Sequence, residues 1–119
     1  MSLEIKDNQE IWSNLIRFLK ETTGKKPNDL NSVLFLIGIQ ELGKGNLRFS
    51  KEEKQDILHI AICKVLSFGG FYSLDGIDEE GWPHWQLLKP LPLFDILTQE
   101  TLLKHYIIEY FRKEIGLHI

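Results

Sequence analysis

Hydrophobic residues recur at helical spacing near the start of the chain. One face of a helix is indicated by positions three or four residues apart, namely Trp12, Leu15, Ile16 and Leu19. Asp7 and Glu10 have the spacing of a capping box, with Asp replacing the usual Ser or Thr, so we expect the helix to begin at Asn8. Gly24 and the following Pro27 predict its end near residues 22–24.

The second apolar segment is hydrophobic on almost every side. The run Val33–Ile39 predicts a helix over Leu30–Leu42, capped by Asn28 or Asp29 and buried as the central element of the fold. A seven-residue apolar run also fits a buried strand, and periodicity alone does not separate the two. The length of the segment and the glycine after it favour a helix, and Gly43–Asn46 is predicted to form a turn.

A capping box gives the third helix its start. Ser50 and Glu53 have the required spacing, and the apolar pattern that follows extends to about Ser67, where Gly69-Gly70 ends it. Its predicted buried stripe consists of Lys54, Ile57, Leu58, Ala61, Ile62, Val65 and Leu66.

The fourth helix is predicted from Thr98, as N-cap, to Glu114. Its inward positions are expected to be Leu103, Tyr106, Ile107, Tyr110 and Phe111. Beyond Gly116, His118 and Ile119 are expected to fray, as chain ends commonly do.

Together these segments predict a mainly α fold, a compact four-helix array forming a single helical domain over residues 1–119. A long aromatic and acidic insert, residues 68–92, lies between helices 3 and 4. Within it, 71–74 and 82–87 are candidates for a short β-hairpin around 75–81, with Pro83 confining the second strand to an edge. The predicted core comprises Trp12, Leu34, Phe35, Ile37, Leu58, Ala61, Ile62, Tyr106 and Phe111.

Charge and composition narrow the classes of function. The net charge of -3 arises from four acidic residues between 75 and 80, while all other residues sum to +1, so no basic footprint for nucleic acid is present. Cys63 is the only cysteine, which excludes an internal disulfide and fits a reducing compartment. The N-terminus has no signal-peptide pattern, and no apolar run approaches the length of a membrane span. We therefore expect a cytoplasmic protein.

Two tryptophans three positions apart are the most informative feature of the insert. Trp82 and Trp85 each carry about 200 Å² of mostly apolar surface and one N–H donor. One interpretation is a lid that packs on the domain's own helices, with the acidic turn as its solvated tip. The other is an exposed pair of interface residues, since tryptophan often dominates binding energy.

Other clusters match known chemistry poorly. Neither register of the acidic turn, from Asp75 or from Asp78, gives the ligand spacing of a calcium loop. Asp56, His59 and Cys63 fall along one face of helix 3, but a mid-helix cysteine among apolar residues is expected to be packed rather than catalytic. His105 and Glu109 are expected to form a surface pair. No cofactor, metal ligand or catalytic residue is assigned.

The sequence favours a small, non-enzymatic protein-interaction domain. Its predicted binding face comprises Phe71, Tyr72, Asp75, Asp78, Glu79, Glu80, Trp82, His84 and Trp85, and the partner is another protein or a second copy of the chain. The alternative is an enzyme or small-ligand binder in a cleft beside the insert, with His84 as acid or base and Asp75, Asp78 or Glu80 as its partner.

Overall fold

The computed structural model describes residues 9–43, 48–91 and 96–119, with the side chains of residues 96 and 97 left out. Within these ranges the chain is mainly α, with a two-stranded antiparallel hairpin between the third and fourth helices, which confirms the predicted fold class and the hairpin. The elements are α1 (Gln9–Thr23), α2 (Leu30–Leu42), α3 (Lys51–Ser67), β1 (Tyr72–Ile77), β2 (Pro83–Leu87) and α4 (Ile96–Lys113).

Local capping explains why α2 and α3 begin where the sequence predicts. The Asp29 carboxylate accepts a 2.8 Å hydrogen bond from the Ser32 N–H, and Gly43 closes α2 with a left-handed φ of 70°. At α3 the Ser50 hydroxyl accepts from the Glu53 N–H, while the Glu53 carboxylate accepts from the Ser50 N–H. The capping box predicted at residue 7 and the turn predicted at 44–46 lie outside the described residues.

The predicted start of α4 is wrong. Thr98 lies inside the helix, which already includes Ile96. Thr98 has a residue type that is common at N-caps, but threonine is also tolerated inside a helix, so the residue type alone did not fix the boundary.

The predicted fraying of the C-terminal residues is also wrong. Gly116 turns the chain with a φ of 77°, and the Leu117 N–H donates a 2.9 Å hydrogen bond to the Phe111 carbonyl. The Arg112 guanidinium donates two hydrogen bonds to the Ile119 carbonyl, at 3.0 and 2.6 Å. Leu117 and Ile119 pack against the core, so this segment is held in place at both side chains and backbone.

The core lies where the four helices meet, and α2 packs against both α3 and α4. Five predicted core residues are buried, namely Leu34, Ile37, Ala61, Tyr106 and Phe111. Trp12, Leu58 and Ile62 are half-buried and pack against the core. Phe35 is half-buried and lines a surface groove. On α3, Lys54 is exposed, while Ile60 and Cys63, which the predicted stripe omitted, are buried.

A polar network joins α2, α3 and α4 at the edge of this core. Lys64 Nζ lies 3.5 Å from a Glu41 carboxylate oxygen and 2.9 Å from a Glu114 carboxylate oxygen. The Tyr110 hydroxyl donates a 3.0 Å hydrogen bond to Glu41, and burial, followed by the Glu41 charge, raises the pKa of Tyr110. The network therefore satisfies a buried hydroxyl and fixes the relative positions of three helices.

The hairpin packs against α3 through both strands. Its register pairs Tyr72 with Leu87 at the base and Ile77 with Pro83 near the turn, with a bulge between Leu74 and Gly76. The first strand extends three residues further than predicted, to Ile77, so the turn is confined to residues 78–82. Beyond the base, the Leu88 N–H donates a 2.8 Å hydrogen bond to the Phe71 carbonyl.

Candidate functional site

The two faces of the hairpin differ in polarity. Directly paired residues on neighbouring strands share a face, so the register determines which side chains lie together. One face carries the pairs Tyr72 with Leu87, Leu74 with Trp85 and Ile77 with Pro83. The opposite face carries Ser73 with Gln86 and Gly76 with His84. We call the first group, residues 72, 74, 77, 83, 85 and 87, the apolar hairpin face.

Much of the apolar hairpin face is open to solvent. Leu74 is 51% exposed, Ile77 is 66% exposed and Leu87 is 51% exposed. In the described part of the chain, six large hydrophobic side chains are exposed, and five of them lie between residues 74 and 91. Exposed apolar surface concentrated in one segment is typical of an interaction site.

The tryptophans occupy an intermediate position between the two sequence-based interpretations. Trp82 and Trp85 are both half-buried, so neither is sealed beneath the helices and neither stands free in water. The Trp85 indole N–H is nevertheless buried, and no acceptor is within hydrogen-bonding distance among the residues that the structure describes. An unsatisfied buried donor costs about 1–3 kcal/mol, so the packing of Trp85 is not optimal for the isolated chain.

Asp78 organises the turn at the tip of the hairpin. One carboxylate oxygen accepts hydrogen bonds from the N–H groups of Glu80 and Trp82, at 3.0 and 2.9 Å. The other lies 2.9 Å from His84 Nε2. These hydrogen bonds, that from His84 foremost, lower the pKa of the Asp78 carboxyl. Both oxygens of the Asp78 carboxylate therefore have hydrogen-bond partners, in the turn and on β2.

The structure brings together the His84–Asp78 pair that the catalytic alternative requires, and places it on the surface. The His84 side chain is 62% exposed and that of Asp78 is 39% exposed. Asp75, Glu79 and Glu80 are also exposed around the same tip. The arrangement is an acidic, solvated tip beside the apolar hairpin face.

Two of the predicted binding residues lie at the base of the hairpin. Phe71 is 7% exposed and belongs to the hydrophobic core. Tyr72 is half-buried, and its ring meets that of His59 edge to face, with centroids 6.5 Å apart. These residues attach the hairpin to the helices, so the exposed side chains that remain for binding lie further along the strands.

Cys63 lies in the same junction between α3 and the hairpin. Its thiol has no exposed surface, lies 3.5 Å from His59 Nε2 and is near the Tyr72 hydroxyl. Burial raises the pKa of the Cys63 thiol to about 11. The absence of exposed surface confirms that Cys63 is packed, and the raised pKa means that the thiol is protonated at neutral pH.

A groove that sequence reasoning missed lies on another side of the molecule. Phe35, Leu36 and Leu58 form its apolar lining, which we call its floor. Lys25, Lys26 and Lys54 also line it, together with one acidic residue, Asp29, whose carboxylate caps α2. Its volume is about 920 Å³. We call it the basic groove. Lys25 and Lys26 lie between α1 and α2, whereas Lys54 comes from α3, so only the packing of the helices brings the three lysines together.

No group of three His, Cys, Asp or Glu side chains within 9–43, 48–91 and 96–119 is arranged to hold a metal ion. None of the described helices combines the length and the apolar character of a membrane span. No protein-family model, curated protein or solved structure matches the chain.

Proposed function

We propose that this domain is a non-enzymatic protein-interaction module and that the apolar hairpin face is its binding surface. The observation that carries the proposal is the exposure of Leu74, Ile77 and Leu87 on one face of a hairpin held at its base by the core. A rigidly attached hairpin presents these side chains without the ordering cost that a flexible loop would incur on binding.

The energetics of the face suit a modest, specific interface. Fully burying an aliphatic side chain contributes about 1.5–3 kcal/mol, and these three side chains still expose half or more of their surface. Covering them therefore contributes on the order of 1 kcal/mol each. The half-buried rings of Trp82 and Trp85 add further contact area. Tryptophan is enriched among the residues that contribute most to the binding energy of interfaces.

The acidic tip indicates that the partner carries positive charge. Asp75 and Glu79 are exposed beside the apolar hairpin face, and like charges on a partner would be repelled. The partner that fits is a protein segment with aliphatic or aromatic side chains flanked by lysine or arginine. The same negative charge disfavours the phosphate backbone of nucleic acids. A cytoplasmic setting is compatible with the single, unpaired Cys63.

A synthetic peptide tests this proposal directly. The probe is a short peptide of alternating leucine and lysine, and its matched control carries glutamate at every lysine position. Two-dimensional amide NMR of the labelled domain is expected to show perturbations over β1 and β2 with the lysine peptide and none with the glutamate peptide. Perturbations spread over the helices, with the hairpin unaffected, would exclude the apolar hairpin face as the binding surface.

Acid–base chemistry at His84 has one observation in its favour, the 2.9 Å contact with Asp78. The same contact is accounted for by the turn, because Asp78 also accepts the two backbone N–H groups that close it. The interaction module is therefore the better-supported proposal, and we assign His84 a role in positioning the tip.

A further inference from the structure

The chain carries two surfaces whose chemistry is complementary. The hairpin presents exposed Leu74 and Ile77 next to the acidic residues Asp75 and Glu79. The basic groove presents an apolar floor next to three lysines and one carboxylate, that of Asp29, so its lining is positive on balance. A contact between the two surfaces would cover apolar side chains on both and would place the carboxylates of the hairpin beside the lysines of the groove.

The basic groove is of a size that admits side chains from a partner. Its volume of about 920 Å³ lies within the usual range for binding pockets, roughly 300–1,000 Å³. Phe35 and Leu58 are only half-buried along its floor, so the groove leaves apolar surface uncovered. Its lysines sit around that floor, and Lys25, Lys26 and Lys54 are all exposed.

The two surfaces share no described residue. Lys54 and Leu58 of α3 line the groove, and no described residue of β1 or β2 does. The base of the hairpin contacts α3 at His59, whose ring meets that of Tyr72. The groove of a chain is therefore not filled by its own hairpin, and both surfaces are open to contact when two copies associate.

We propose that the hairpin tip of one copy docks into the basic groove of a second copy, with Leu74 and Ile77 against the apolar floor and Asp75 and Glu79 beside the lysines. The inference rests on the proposed function of the apolar hairpin face and names a second copy of this chain as its partner. Different patches meet in such a contact, so the association is head-to-tail and extends to short chains or closed rings.

Charge-reversed variants test the proposal by sedimentation equilibrium. The tip variant carries Asp75→Lys and Glu79→Lys, and the groove variant carries Lys26→Glu and Lys54→Glu. We expect the native chain to associate in a concentration-dependent manner that weakens with salt, and each variant alone to dissociate at least tenfold more readily. Control substitutions of exposed residues that line neither surface, Glu10→Lys and Arg48→Glu, are expected to leave association unchanged.

An equimolar mixture of the two variants gives the sharpest result. The tip variant retains a native groove and the groove variant retains a native tip, so one native contact forms between them. The reversed tip of the first variant also matches the reversed groove of the second, so the mixture is expected to associate in alternating order although neither variant does so alone. A chain carrying both sets of substitutions is expected to associate again, because the charges are exchanged rather than lost.

Several outcomes would overturn the inference. A native chain that is monomeric up to about 1 mM would do so, as would association that only the tip variant, and not the groove variant, weakens. Binding of an acidic peptide in the groove without self-association would assign the groove to another partner. If the chain is monomeric while the leucine–lysine peptide still perturbs the hairpin, only this inference fails; if the peptide also leaves the hairpin unperturbed, the proposed function fails with it.

Discussion

Asp78 and His84 are joined across the turn of the hairpin, with a carboxylate oxygen of Asp78 2.9 Å from His84 Nε2. The second oxygen of the same carboxylate holds the N–H groups of Glu80 and Trp82. One side chain thus fixes both the backbone of the turn and the imidazole of β2. Because Leu74 and Ile77 lie on β1, which this turn joins to β2, we expect their presentation to depend on the ionised form of Asp78.

The hairpin tip is therefore expected to loosen in acid. Hydrogen bonds from His84 and then from Trp82 hold the pKa of Asp78 below its ordinary value of 3.8. Folding favours the ionised carboxylate, so its stabilisation is present above the unfolded-state pKa and is lost as pH falls through the lower folded-state pKa. Amide NMR between pH 6 and pH 2 should show the Glu80 and Trp82 signals shifting below about pH 4. An Asp78→Asn variant should lack this transition, and an identical transition in that variant would contradict the assignment.

Trp85→Phe is expected to cost less stability than a tryptophan-to-phenylalanine change elsewhere. The substitution removes apolar contacts, but it also removes a buried N–H without an acceptor, which costs about 1–3 kcal/mol in the native chain. Trp12, half-buried against the core, provides the matched control Trp12→Phe. In denaturant unfolding, the loss in the free energy of unfolding should be about 1 kcal/mol smaller for Trp85→Phe than for Trp12→Phe. Equal losses would indicate that the Trp85 N–H is satisfied.

Gly38→Ala is expected to destabilise the fold although alanine is the better helix former. A Cβ at this position of α2 would overlap the Ile57 carbonyl oxygen and the Ile57 side chain on α3. Alanine in place of glycine ordinarily stabilises a helix by about 1 kcal/mol, but the overlap forces two packed helices apart, at a cost of about 1–3 kcal/mol. Gln40→Ala on the exposed side of the same helix serves as control in denaturant unfolding. A Gly38→Ala variant more stable than the native chain would show that α2 and α3 are less closely packed.

Cys63 is expected to resist thiol reagents until the domain opens. With a pKa raised to about 11 by burial, the thiol is ionised to about one part in a thousand at pH 8, and it has no exposed surface. A chromogenic disulfide reagent should react slowly in buffer and rapidly in denaturant. A Cys63→Ala chain with Ser13→Cys on the exposed side of α1 gives the rate for an accessible thiol. Comparable rates for the two chains would contradict the buried placement.

Local features of the sequence predicted much of the fold. The bounds of α2 and α3 follow from side-chain caps at Asp29 and Ser50, which need only residues three positions away, and both were predicted correctly. The hairpin was predicted from aromatic strands around a polar turn, because that pattern too is local. The start of α4 failed where Thr98 offered a cap that the helix does not use.

The candidate site depended on packing and was predicted only in part. Trp82 and Trp85 drew attention to the insert, but the exposure of Leu74 and Ile77 depends on how far α3 covers the hairpin, which no local pattern specifies. Phe35, assigned to the core from its place in an apolar run, instead lines the basic groove. The groove forms only when α2 and α3 pack together, so it could not be predicted from the spacing of residues in the sequence.

The most direct measurement of the central claim is the affinity of the leucine–lysine peptide for three forms of the domain. Tryptophan fluorescence monitors the binding. The native chain and an Ile115→Ser variant, changed at an exposed hydrophobic residue outside the insert, are expected to bind equally. A Leu74→Ser/Ile77→Ser variant is expected to keep its unfolding midpoint and to bind at least tenfold more weakly. Equal affinity of all three forms would show that the apolar hairpin face is not the binding surface.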